Sequence, residues 1–399
     1  MSIRVALNVT PLLAPLTGIG NYILHLGRAL EAAPGIELNC FGGYGWHPGF
    51  PFPQPSGTEL ERSSRLRELV RPYVPWKREL RQTAQRFAFE RGLRRSGIEL
   101  YHEPNYVPIS TQIPFVITIH DLSWLRYPQM HPTDRIRWLE SGLPKAIERA
   151  RAIIVDSEFV RNEVLSTFVI APERVQAVHL GVSEEFRPRT DAETASVLQP
   201  LGLTHGQYLL AVGTIEPRKN LIHIVKSYAL LSDELRRRFP LVIIGAKGWH
   251  SSDLVVRLQN QNDPQVRFLG HVTPMALANL YAGAALFAFP SIYEGFGLPP
   301  LEAMASGVPV IVSQRASLPE IVGDTGEMMD PEDTADTAQR IRSLLEDEGR
   351  RSDMSRRGLE RASRFTWAAC AKATETIYRE AIGNASSTSP SDVKVYRPH

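Results

Sequence analysis

The 399-residue sequence lacks most of the features that mark secreted, membrane-spanning and nucleic-acid-binding proteins. Its two cysteines, Cys40 and Cys370, are too few for a disulfide framework or a cysteine-rich metal site, which favours a reducing compartment. No uncharged apolar run approaches the length of a membrane span, and the first residues do not resemble a signal peptide. The net charge is only +2, which argues against a dedicated nucleic-acid-binding protein. We therefore expect a cytoplasmic protein.

The composition is that of a folded protein, and the length of the chain indicates more than one domain. Hydrophobic residues make up 43% of the chain and charged residues 22%, which excludes disordered and fibrous proteins. A chain of 399 residues is too long for one ordinary core and predicts two domains of roughly 150 to 200 residues each.

Apolar runs of strand length alternate with helical patterns along both halves of the chain. In the first helical segment, Ile19, Tyr22, Ile23 and Leu26 recur at helical spacing. Strands that are apolar throughout and separated by helices indicate parallel sheets covered on both faces, so each half is predicted to be a doubly wound α/β domain. The predicted strands are residues 3–8, 36–41, 115–119, 153–156 and 175–180 in the first half, and 208–212, 241–245, 266–269, 286–289 and 309–312 in the second.

The joint between the two domains is predicted where charges, prolines and glycines replace the apolar pattern. Residues 1–185 would form the amino-terminal domain, residues 186–206 a linker with a short helix, and residues 207–364 the carboxy-terminal domain. A last helix over residues 365–383 is expected to pack back on the amino-terminal domain. The Ser/Thr-rich tail, residues 384–399, is expected to be frayed.

One segment, residues 61–95, is strongly basic, with eleven basic and four acidic residues and with interleaved aromatic residues such as Trp76 and Phe87. Such a segment can attract an anionic membrane surface or a lipid-diphosphate acceptor. It can also be the solvated side of helices whose aromatic residues pack on the first sheet. The sequence leaves both interpretations open.

The turn after the first predicted strand contains Gly18 and Gly20 and runs into the first helix. Glycines at the mouth of a parallel sheet let backbone N–H groups approach a ligand, and a helix N-terminus favours an anion. A plain tight turn explains the pattern nearly as well, because Ile23 stands where the third glycine of a dinucleotide-binding fingerprint belongs.

His120 and Asp121 follow the predicted strand 115–119 at its carboxyl end, the edge at which open α/β sheets bind ligands. An imidazole at this edge can donate a hydrogen bond to a hydroxyl or an oxyanion near neutral pH, and the alternative is a buried structural histidine. Residues 101–105, which include Asn105, form a second and weaker polar cluster at a strand end.

Arg218 and Lys219 lie in the turn directly after the predicted strand 208–212. Two adjacent cations on a strand-to-helix turn suit a phosphate or a diphosphate. An ordinary exposed basic turn would have the same pattern, so the motif is not decisive alone.

The most informative stretch is residues 291–303, which follow an apolar strand closely. Glu294 lies in a loop with Gly295 and Gly297, whose backbone N–H groups would be exposed to a sugar or a phosphate. Two prolines open a helix that is expected to hold Glu302 in its first turn, where the helix dipole favours a carboxylate that could accept hydrogen bonds from a ribose diol. The alternative for Glu302 is a structural capping role.

Together these motifs resemble the family 4 retaining glycosyltransferases of the GT-B fold. The similarity extends over residues 3–382, and the Glu-x7-Glu stretch is its most specific part. The resemblance implies two doubly wound, Rossmann-like α/β domains facing a central cleft, with the acceptor side in the amino-terminal domain and the nucleotide sugar bound by the carboxy-terminal domain. The motifs that carry the resemblance are residues 17–22, 120–122, 157–159, 179–182, 216–220, 294–302 and 317–320.

By this resemblance, His120 and Glu294 are the expected catalytic residues. His120 would contact the transferred sugar near the reacting carbon, and Glu294 would hold the sugar hydroxyls. Asp121 and Asn105 are expected to support the acceptor side. Glu302 is expected to hold the nucleotide ribose.

The resemblance also implies a set of residues that bind the donor diphosphate. Thr214 stands where many relatives carry an additional arginine, which shifts phosphate neutralisation onto Arg218 and Lys219. No metal site and no cofactor are expected, because an Asp-x-Asp motif is not evident and the nucleotide sugar is itself the substrate. The other expected donor-binding residues are Gly18, Gly20, Gly295, Phe296 and Gly297.

The sequence of residues 213–220 resembles that of the mannosyltransferase-like branch of the family, which often uses GDP-sugars to build surface polysaccharide. The implied function is the retaining transfer of a hexose, mannose or a mannose-derived sugar, from a nucleoside-diphosphate sugar. The implied acceptor is a glycan linked to polyprenyl diphosphate, or a polysaccharide such as an O-antigen or lipopolysaccharide. The expected location is the cytoplasm, peripheral to the inner face of the plasma membrane.

Other interpretations of the same architecture stay open at this point. A nucleotide-sugar epimerase would need a base over the sugar, and a phosphorylase would need a pyridoxal lysine, which is not evident. A Rossmann oxidoreductase is disfavoured because the third glycine is missing. A non-catalytic nucleotide-sugar-binding protein would bind the donor without releasing nucleoside diphosphate, and fold alone does not separate it from an enzyme.

Overall fold

The computed structural model divides the chain into two compact units. The first unit consists of the described residues of Met1–Leu122, Arg137–Gly181 and Trp367–His399, and the second consists of those of Ser123–Ile136 and Val182–Thr366. The structure describes residues 2–13, 18–43, 45–51, 76–249, 251, 255–256, 258 and 263–383.

The first unit is built on a seven-stranded sheet in the order β3-β2-β1-β4-β5-β6-β7. All neighbouring strands pair in parallel except β2 and β3. The direction in which strands are added reverses between β1 and β4, which is the doubly wound topology. Its strands are β1 Ile3–Asn8, β2 Ile36–Gly42, β3 Gly45–Pro48, β4 Leu100–Glu103, β5 Phe115–Ile119, β6 Ala152–Val155 and β7 Val175–Ala177.

The second unit is built on a six-stranded sheet in the order β10-β9-β8-β11-β12-β13, in which every pair is parallel. The order reverses between β8 and β11, so this unit is doubly wound as well. Its strands are β8 Leu209–Val212, β9 Leu241–Ile244, β10 Val266–Gly270, β11 Leu286–Phe289, β12 Val310–Ser313 and β13 Glu327–Met329.

Helices form most of the connections between the parallel strands. They are α1 Gly18–Glu31, α2 Trp76–Ser96, α3 Ser123–Arg126, α4 Thr133–Arg149, α5 Glu158–Thr167, α6 Asp191–Leu198, α7 Leu221–Ala229, α8 Asp233–Arg238, α9 Pro274–Ala282, α10 Leu298–Ala305, α11 Leu318–Val322, α12 Thr334–Glu346, α13 Glu348–Ala362 and α14 Trp367–Gly383. In the part of the chain that the structure describes, none of them is long and apolar enough to cross a membrane.

The apolar strands form the cores of the two units. Every residue of β8, β9, β11 and β12 is buried, as are all of β5 and β6. Burying one large apolar side chain contributes about 1.5 to 3 kcal/mol, so these runs alone account for much of the driving force for sheet formation. The two doubly wound α/β folds that the sequence predicts are therefore present.

The last helix, Trp367–Gly383, belongs to the first unit and packs on the helix Gly18–Glu31. The Tyr378 hydroxyl lies 2.7 Å from His102 Nδ1, and His102 Nε2 lies 2.8 Å from Thr118 Oγ1. Burial lowers the pKa of His102 to about 3, so this histidine is neutral and its two nitrogens exchange hydrogen bonds with hydroxyl groups. The predicted tail, residues 384–399, lies outside the described residues.

The observed division differs from the predicted extent of the first domain at residues 182–185 and at residues 123–136, both of which group with the second unit. For residues 123–136 the reason is aromatic packing within that unit. Tyr127 lies edge-on to Tyr293, with ring centroids 5.7 Å apart, and the Arg135 guanidinium lies 5.0 Å from the centroid of Trp249. The strands Gly45–Pro48, Leu100–Glu103 and Glu327–Met329 were not among the predicted strands, because none of them is a continuous apolar run.

Candidate active site

The candidate site in the second unit lies where the strand order reverses, at the carboxyl ends of β8 and β11. Ligands of doubly wound sheets bind at this edge because the connections after the two neighbouring strands run to opposite faces. Residues 213–220 follow β8, and residues 290–297 follow β11. A hydrogen bond of 2.9 Å from the Ile292 N–H to the Arg218 carbonyl joins the two loops.

A single turn of 3-10 helix, Pro217–Lys219, carries the two predicted cations. Pro217 suits the first helical position because its φ is fixed and its missing N–H has no partner to lose there. Asn220 ends the turn at φ 53°, a left-handed conformation that asparagine adopts more readily than most residues. The Asn220 amide donates a 2.9 Å hydrogen bond to the Pro331 carbonyl, which anchors the turn ahead of helix α7.

The side chains of this turn form a buried ion-pair cluster with Glu294. Lys219 Nζ lies 2.6 Å from Glu294 Oε1, and Arg218 Nη1 lies 3.2 Å from Glu294 Oε2. Ser291 Oγ donates a 2.6 Å hydrogen bond to Glu294 Oε1. Burial disfavours the charged carboxylate, but the Lys219 and Arg218 cations outweigh burial and hold the pKa of Glu294 below its ordinary value. Glu294 is therefore an ionised hydrogen-bond acceptor.

A second carboxylate balances the charge of the cluster. Glu216 Oε2 lies 3.5 Å from Arg218 Nη2, so two cations face two carboxylates. A diphosphate that enters this site would compete with Glu294 for Lys219 and Arg218. Its contacts with these cations would be charge-assisted hydrogen bonds, as are the contacts that Glu294 makes with them. The Lys219 ammonium also lies 5.4 Å from the ring centroid of Phe289, which adds a cation–π contact on its apolar side.

The loop that follows Glu294 is held by Ser317, whose hydroxyl lies 2.9 Å from the Glu294 carbonyl and 2.7 Å from the Phe296 carbonyl. The Phe296 ring is buried and packs edge-on against Phe365, so the ring belongs to the core and only the backbone of Phe296 is available to a ligand. Gly297 has φ 115°, a conformation that only glycine adopts without strain, and it directly precedes helix α10. Gly295 is buried between these residues.

Glu302 is not in the first turn of its helix, as the sequence predicted, but is the fifth residue of Leu298–Ala305. The helix begins at Leu298, one residue ahead of the two prolines, so Glu302 is a turn removed from the N-terminal dipole. Burial raises the pKa of Glu302 to about 7, and the neighbouring Tyr281 hydroxyl acts in the opposite direction. The pKa of Glu302 is thus shifted in the opposite direction from that of Glu294, although both belong to one motif.

In the first unit, His120 follows β5 and is buried. Its Nδ1 lies 2.8 Å from Asp156 Oδ2, and its Nε2 lies 2.8 Å from the carbonyl oxygen of Pro104. Both ring nitrogens are therefore engaged with protein groups. Asp156 follows β6, so the two residues extend neighbouring strands of the sheet.

Asp121 and Asn105 lie in the same unit, and Asn105 contacts a second buried carboxyl group, that of Glu103. The Tyr106 hydroxyl donates a 3.3 Å hydrogen bond to Asp121 Oδ1, and the Asn105 N–H donates a 3.1 Å hydrogen bond to Glu103 Oε1. Asn8 Nδ2 donates to Glu103 Oε2 at 2.7 Å, which connects the ends of β1 and β4. Burial raises the pKa of Glu103 to about 7.

Gly18 and Gly20 are the first and third residues of helix α1, and Gly20 is buried. Residues 14–17 of the predicted glycine turn lie outside the described residues. The structure thus brings Arg218, Lys219 and Glu294 together in one unit, and it places His120 and Asn105 on either side of Pro104 in the other. No group of three His, Cys, Asp or Glu side chains suited to a metal ion occurs among the residues described.

Three site residues were missed at the sequence level: Asp156, Ser291 and Ser317. Asp156 ends a predicted strand just as His120 follows one, so the signal that singled out His120 was present for it too. Ser291 follows β11 by two residues, but a serine in a loop is too common to be selected without its contacts. Ser317 belongs to a motif of the resemblance, and its role as a loop anchor became visible only from its hydrogen bonds.

Comparison with known proteins assigns this architecture. Residues 16–186 match the family model described as Glycosyltransferase Family 4, and residues 199–361 match the model described as Glycosyl transferases group 1. The chain is 36% identical over 376 residues to O-antigen chain mannosyltransferase B of Escherichia coli, which covers 92% of this chain and 97% of that relative. It is 28% identical over 416 residues to D-inositol 3-phosphate glycosyltransferase of Corynebacterium efficiens, which covers 94% of each chain.

Solved structures with the same fold include two glycosyltransferases of low sequence identity. Sucrose-phosphate synthase from Thermosynechococcus elongatus has a TM-score of 0.74 at 22% identity, covering 96% of this chain and 100% of the other. WaaG, described as a glycosyltransferase involved in lipopolysaccharide biosynthesis, has a TM-score of 0.67 at 16% identity, covering 94% and 99%. These likenesses show the fold.

The two doubly wound units and the matched family models define the class of the protein as a glycosyltransferase of the GT-B fold. Within that class, the chain belongs to glycosyltransferase family 4. The resemblance stated from the motifs is thereby confirmed, and the protein is a transferase. The epimerase alternative is not supported, because both family models and these relatives are described as glycosyltransferases or synthases.

Replacing Lys219 by alanine is expected to lower turnover of the glycosyl donor at least about a hundredfold. Loss of one charge-assisted contact at a site of developing negative charge costs on the order of 2 to 4 kcal/mol, and each 1.4 kcal/mol is about a tenfold change in rate. The measurement is steady-state release of nucleoside diphosphate, with the folded state checked by circular dichroism. Lys226→Ala, an exposed lysine on helix α7, is the matched control. Turnover of Lys219→Ala equal to that of Lys226→Ala would exclude the phosphate role.

The pKa of Glu302, about 7 in the folded protein against an ordinary 4.5, predicts a pH-dependent stability. The folded state binds this proton more tightly than the unfolded state, so the Glu302 contribution to the free energy of unfolding falls as pH rises from about 4.5 to about 7. Glu302→Gln keeps the uncharged form at every pH. We therefore expect the variant to gain stability relative to the wild type between pH 5 and pH 8, measured by urea unfolding. The exposed Glu346→Gln change should show no such gain, and a parallel course of wild type and Glu302→Gln would contradict the assignment.

Proposed function

We propose that this glycosyltransferase moves mannose, or a mannose-derived hexose, from a GDP-linked donor to a glycan acceptor. The acceptor is carried on polyprenyl diphosphate or is the end of a growing surface polysaccharide. The observation that supports the sugar and the acceptor class is the similarity, over nearly the whole chain, to a relative whose name is O-antigen chain mannosyltransferase B. The proposed location is the cytoplasm, at the inner face of the membrane.

The ion-pair cluster supports the chemistry of the proposed transfer. The bond between the sugar C1 and the diphosphate oxygen breaks, the acceptor hydroxyl oxygen bonds to C1, and the hydroxyl proton passes to the departing diphosphate. Lys219 and Arg218 would stabilise the negative charge that develops on the diphosphate as the ring gains oxocarbenium character. Glu294, an ionised acceptor, would hold the sugar hydroxyls.

The remaining donor contacts are proposed from position. Glu302 would accept hydrogen bonds from the ribose diol, and the backbone N–H groups of Gly295 and Gly297 would face the sugar or phosphate. Gly18 and Gly20 would face the diphosphate from the N-terminus of helix α1.

His120, Asp121 and Asn105 are proposed to act on the transferred sugar and the acceptor. We propose retention of the anomeric configuration, with the acceptor attacking from the side of the leaving group. We also propose transfer that needs no divalent metal, because Lys219 and Arg218 supply the positive charge.

A panel of donors tests the proposed function. Purified protein is incubated with GDP-mannose, GDP-glucose, UDP-glucose and ADP-glucose, with and without polyprenyl-diphosphate glycan, and nucleoside diphosphate release is followed. We expect release of GDP from GDP-mannose, stimulated by the acceptor and unaffected by a chelator, and proton NMR of the product should show the anomeric configuration of the donor. Preferential turnover of a UDP- or ADP-sugar would refute the donor, and an inverted product would refute retention.

One helix of the first unit supports membrane attachment. On helix Trp76–Ser96, Phe89 is buried, whereas Phe87, Arg91 and Arg94 are exposed on the opposite side, and Phe87 is 69% exposed. Residues 61–75 of the basic segment lie outside the described residues. An exposed aromatic ring flanked by arginines at helical spacing suits an anionic lipid surface, because the ring can enter the interface while the cations meet headgroups.

Binding to lipid vesicles measures this attachment. We expect the protein to sediment with vesicles that contain phosphatidylglycerol and not with pure phosphatidylcholine, and to be released by salt. Phe87→Ala should weaken binding several-fold, whereas Met275→Ala, which removes an equally exposed apolar side chain in the second unit, should not. Equal binding of the two variants would locate the lipid contact elsewhere.

A further inference from the structure

The pair formed by His120 and Asp156 has a geometry that restricts what the histidine can do. Strands β5 and β6 are parallel, with Ile119 opposite Val155, so the residues that follow them emerge side by side. The contact of 2.8 Å between His120 Nδ1 and Asp156 Oδ2 is a direct hydrogen bond between two buried groups. Asp156 Oδ1 is buried and has no hydrogen-bond partner among the described residues.

The other ring nitrogen fixes the protonation pattern. His120 Nε2 lies 2.8 Å from the Pro104 carbonyl oxygen, and a carbonyl oxygen can only accept, so Nε2 carries a proton. The remaining question is the proton between Nδ1 and Asp156. Without that proton, the Nδ1 lone pair would face a carboxylate oxygen in a buried contact, which is repulsive. The pair therefore holds two protons on His120 and Asp156 together, one at Nε2 and one between Nδ1 and Oδ2.

The groups around His120 favour this state. Burial opposes the imidazolium, but the Asp156 carboxylate outweighs burial and raises the pKa of His120. Asp121 acts in the same direction as Asp156. The neutral His102 is a further titratable neighbour.

The other titratable groups that face the pair come from the elements packed around it. The aromatic rings of Tyr22 and Tyr106 lie 4.9 and 5.9 Å from the His120 ring, both edge-on. Burial raises the pKa of Tyr22 well above its ordinary value, so this phenol stays neutral. Beside Asp156 lie His179 and Cys370, and burial raises the pKa of the Cys370 thiol to about 12.

We propose that His120 acts in this enzyme as a hydrogen-bond donor with a fixed ring and not as a base, and that Asp156 is the positioning residue that fixes it. The inference rests on the proposed transfer reaction for its effect on turnover. His120 then has no lone pair with which to take the proton of the acceptor hydroxyl, so it is not a general base. Its ring also fixes the Pro104 carbonyl and, through it, the neighbouring Asn105.

The substitution Asp156→Asn separates positioning from base catalysis. The amide N–H of an asparagine can donate to Nδ1 of a neutral imidazole, which leaves the proton on Nε2 and keeps the bond to Pro104. This tautomer is wrong for a general base, and in catalytic triads the corresponding change costs on the order of 10⁴ in turnover. The same tautomer, with the proton on Nε2, is the one that donates to the Pro104 carbonyl. We therefore expect kcat of Asp156→Asn to fall less than about 10-fold. Asp156→Ala leaves Nδ1 of His120 without a partner, so the ring can shift. A shift of about 1 Å in a positioning group lowers the rate about 100-fold, and we expect a fall in kcat of that size.

The pH dependence gives a readout that a merely structural residue would not move. In the wild type, loss of the shared proton at alkaline pH breaks the pair, whereas the Asp156→Asn pair has no such proton to lose. The ratio of kcat for Asp156→Asn to kcat for the wild type, at saturating donor, is therefore expected to rise with pH as the wild-type pair loses its shared proton. Glu158→Gln, which removes an exposed carboxylate two residues away, is the matched control and should leave kcat unchanged.

Nitrogen-15 NMR of the histidine rings decides the protonation state without reference to activity. The His120 signals are assigned by their loss in His120→Gln. We expect Nε2 to be protonated at neutral pH in the wild type and in Asp156→Asn, with Nδ1 protonated or sharing a proton only in the wild type. An unprotonated Nε2 at neutral pH would overturn the proposal, as would an Asp156→Asn enzyme as impaired as Asp156→Ala. If no donor is turned over, the proposed function fails, and the NMR result still decides the state of the pair.

Discussion

The 2.6 Å contact between Lys219 and Glu294 removes two opposite charges from water at the carboxyl edge of the second sheet. Desolvating both charges is costly, and such buried pairs add little net stability compared with apolar residues of the same volume. Such a pair fixes the positions of its two side chains, because separating them or removing either one leaves an uncompensated charge in the interior. Arg218 and Ser291 complete the coordination of the Glu294 carboxylate, so the loops after β8 and β11 are held in one arrangement before any ligand arrives. Preorganised charge of this kind is what stabilisation of a departing diphosphate requires.

The first unit is organised differently, by hydrogen bonds among groups that are neutral or that share a proton. Tyr22, Thr118, His102 and Tyr378 form a buried chain of contacts of 2.7 to 3.0 Å, which ties helices α1 and α14 to the sheet. Glu103 connects the ends of β1 and β4 while its pKa stays near 7. A polar network in a low-dielectric interior specifies one arrangement of its members, because each broken bond would leave a further unsatisfied group. The polar edges of the two sheets thus achieve fixed geometry by different means.

The architecture could be predicted from the sequence because parallel strands that are buried on both faces consist of continuous apolar runs. The runs 3–8, 115–119 and 286–289 were predicted with the bounds that the structure has. Prediction was less successful where a feature depends on the exact residue at which a helix begins, such as the position of Glu302. It also failed where a strand is not a continuous apolar run, such as Glu327–Met329. The grouping of residues 123–136 with the second unit depends on contacts of Tyr127 and Arg135 that have no local signature.

By itself, the sequence determined which residues end the strands and therefore which side chains gather at each sheet edge: His120 after one strand, Arg218 and Lys219 after another, Glu294 after a third. Only the tertiary structure decided their partners. Glu294 meets Lys219 across 75 residues, and His120 meets Asp156 across 36. The physical reason is that strand order follows from how the crossovers pack, which local pattern does not encode, and burial then sets the charge. Glu294 and Glu302 belong to one short motif, yet neighbouring cations lower the pKa of the first while burial raises the pKa of the second to about 7.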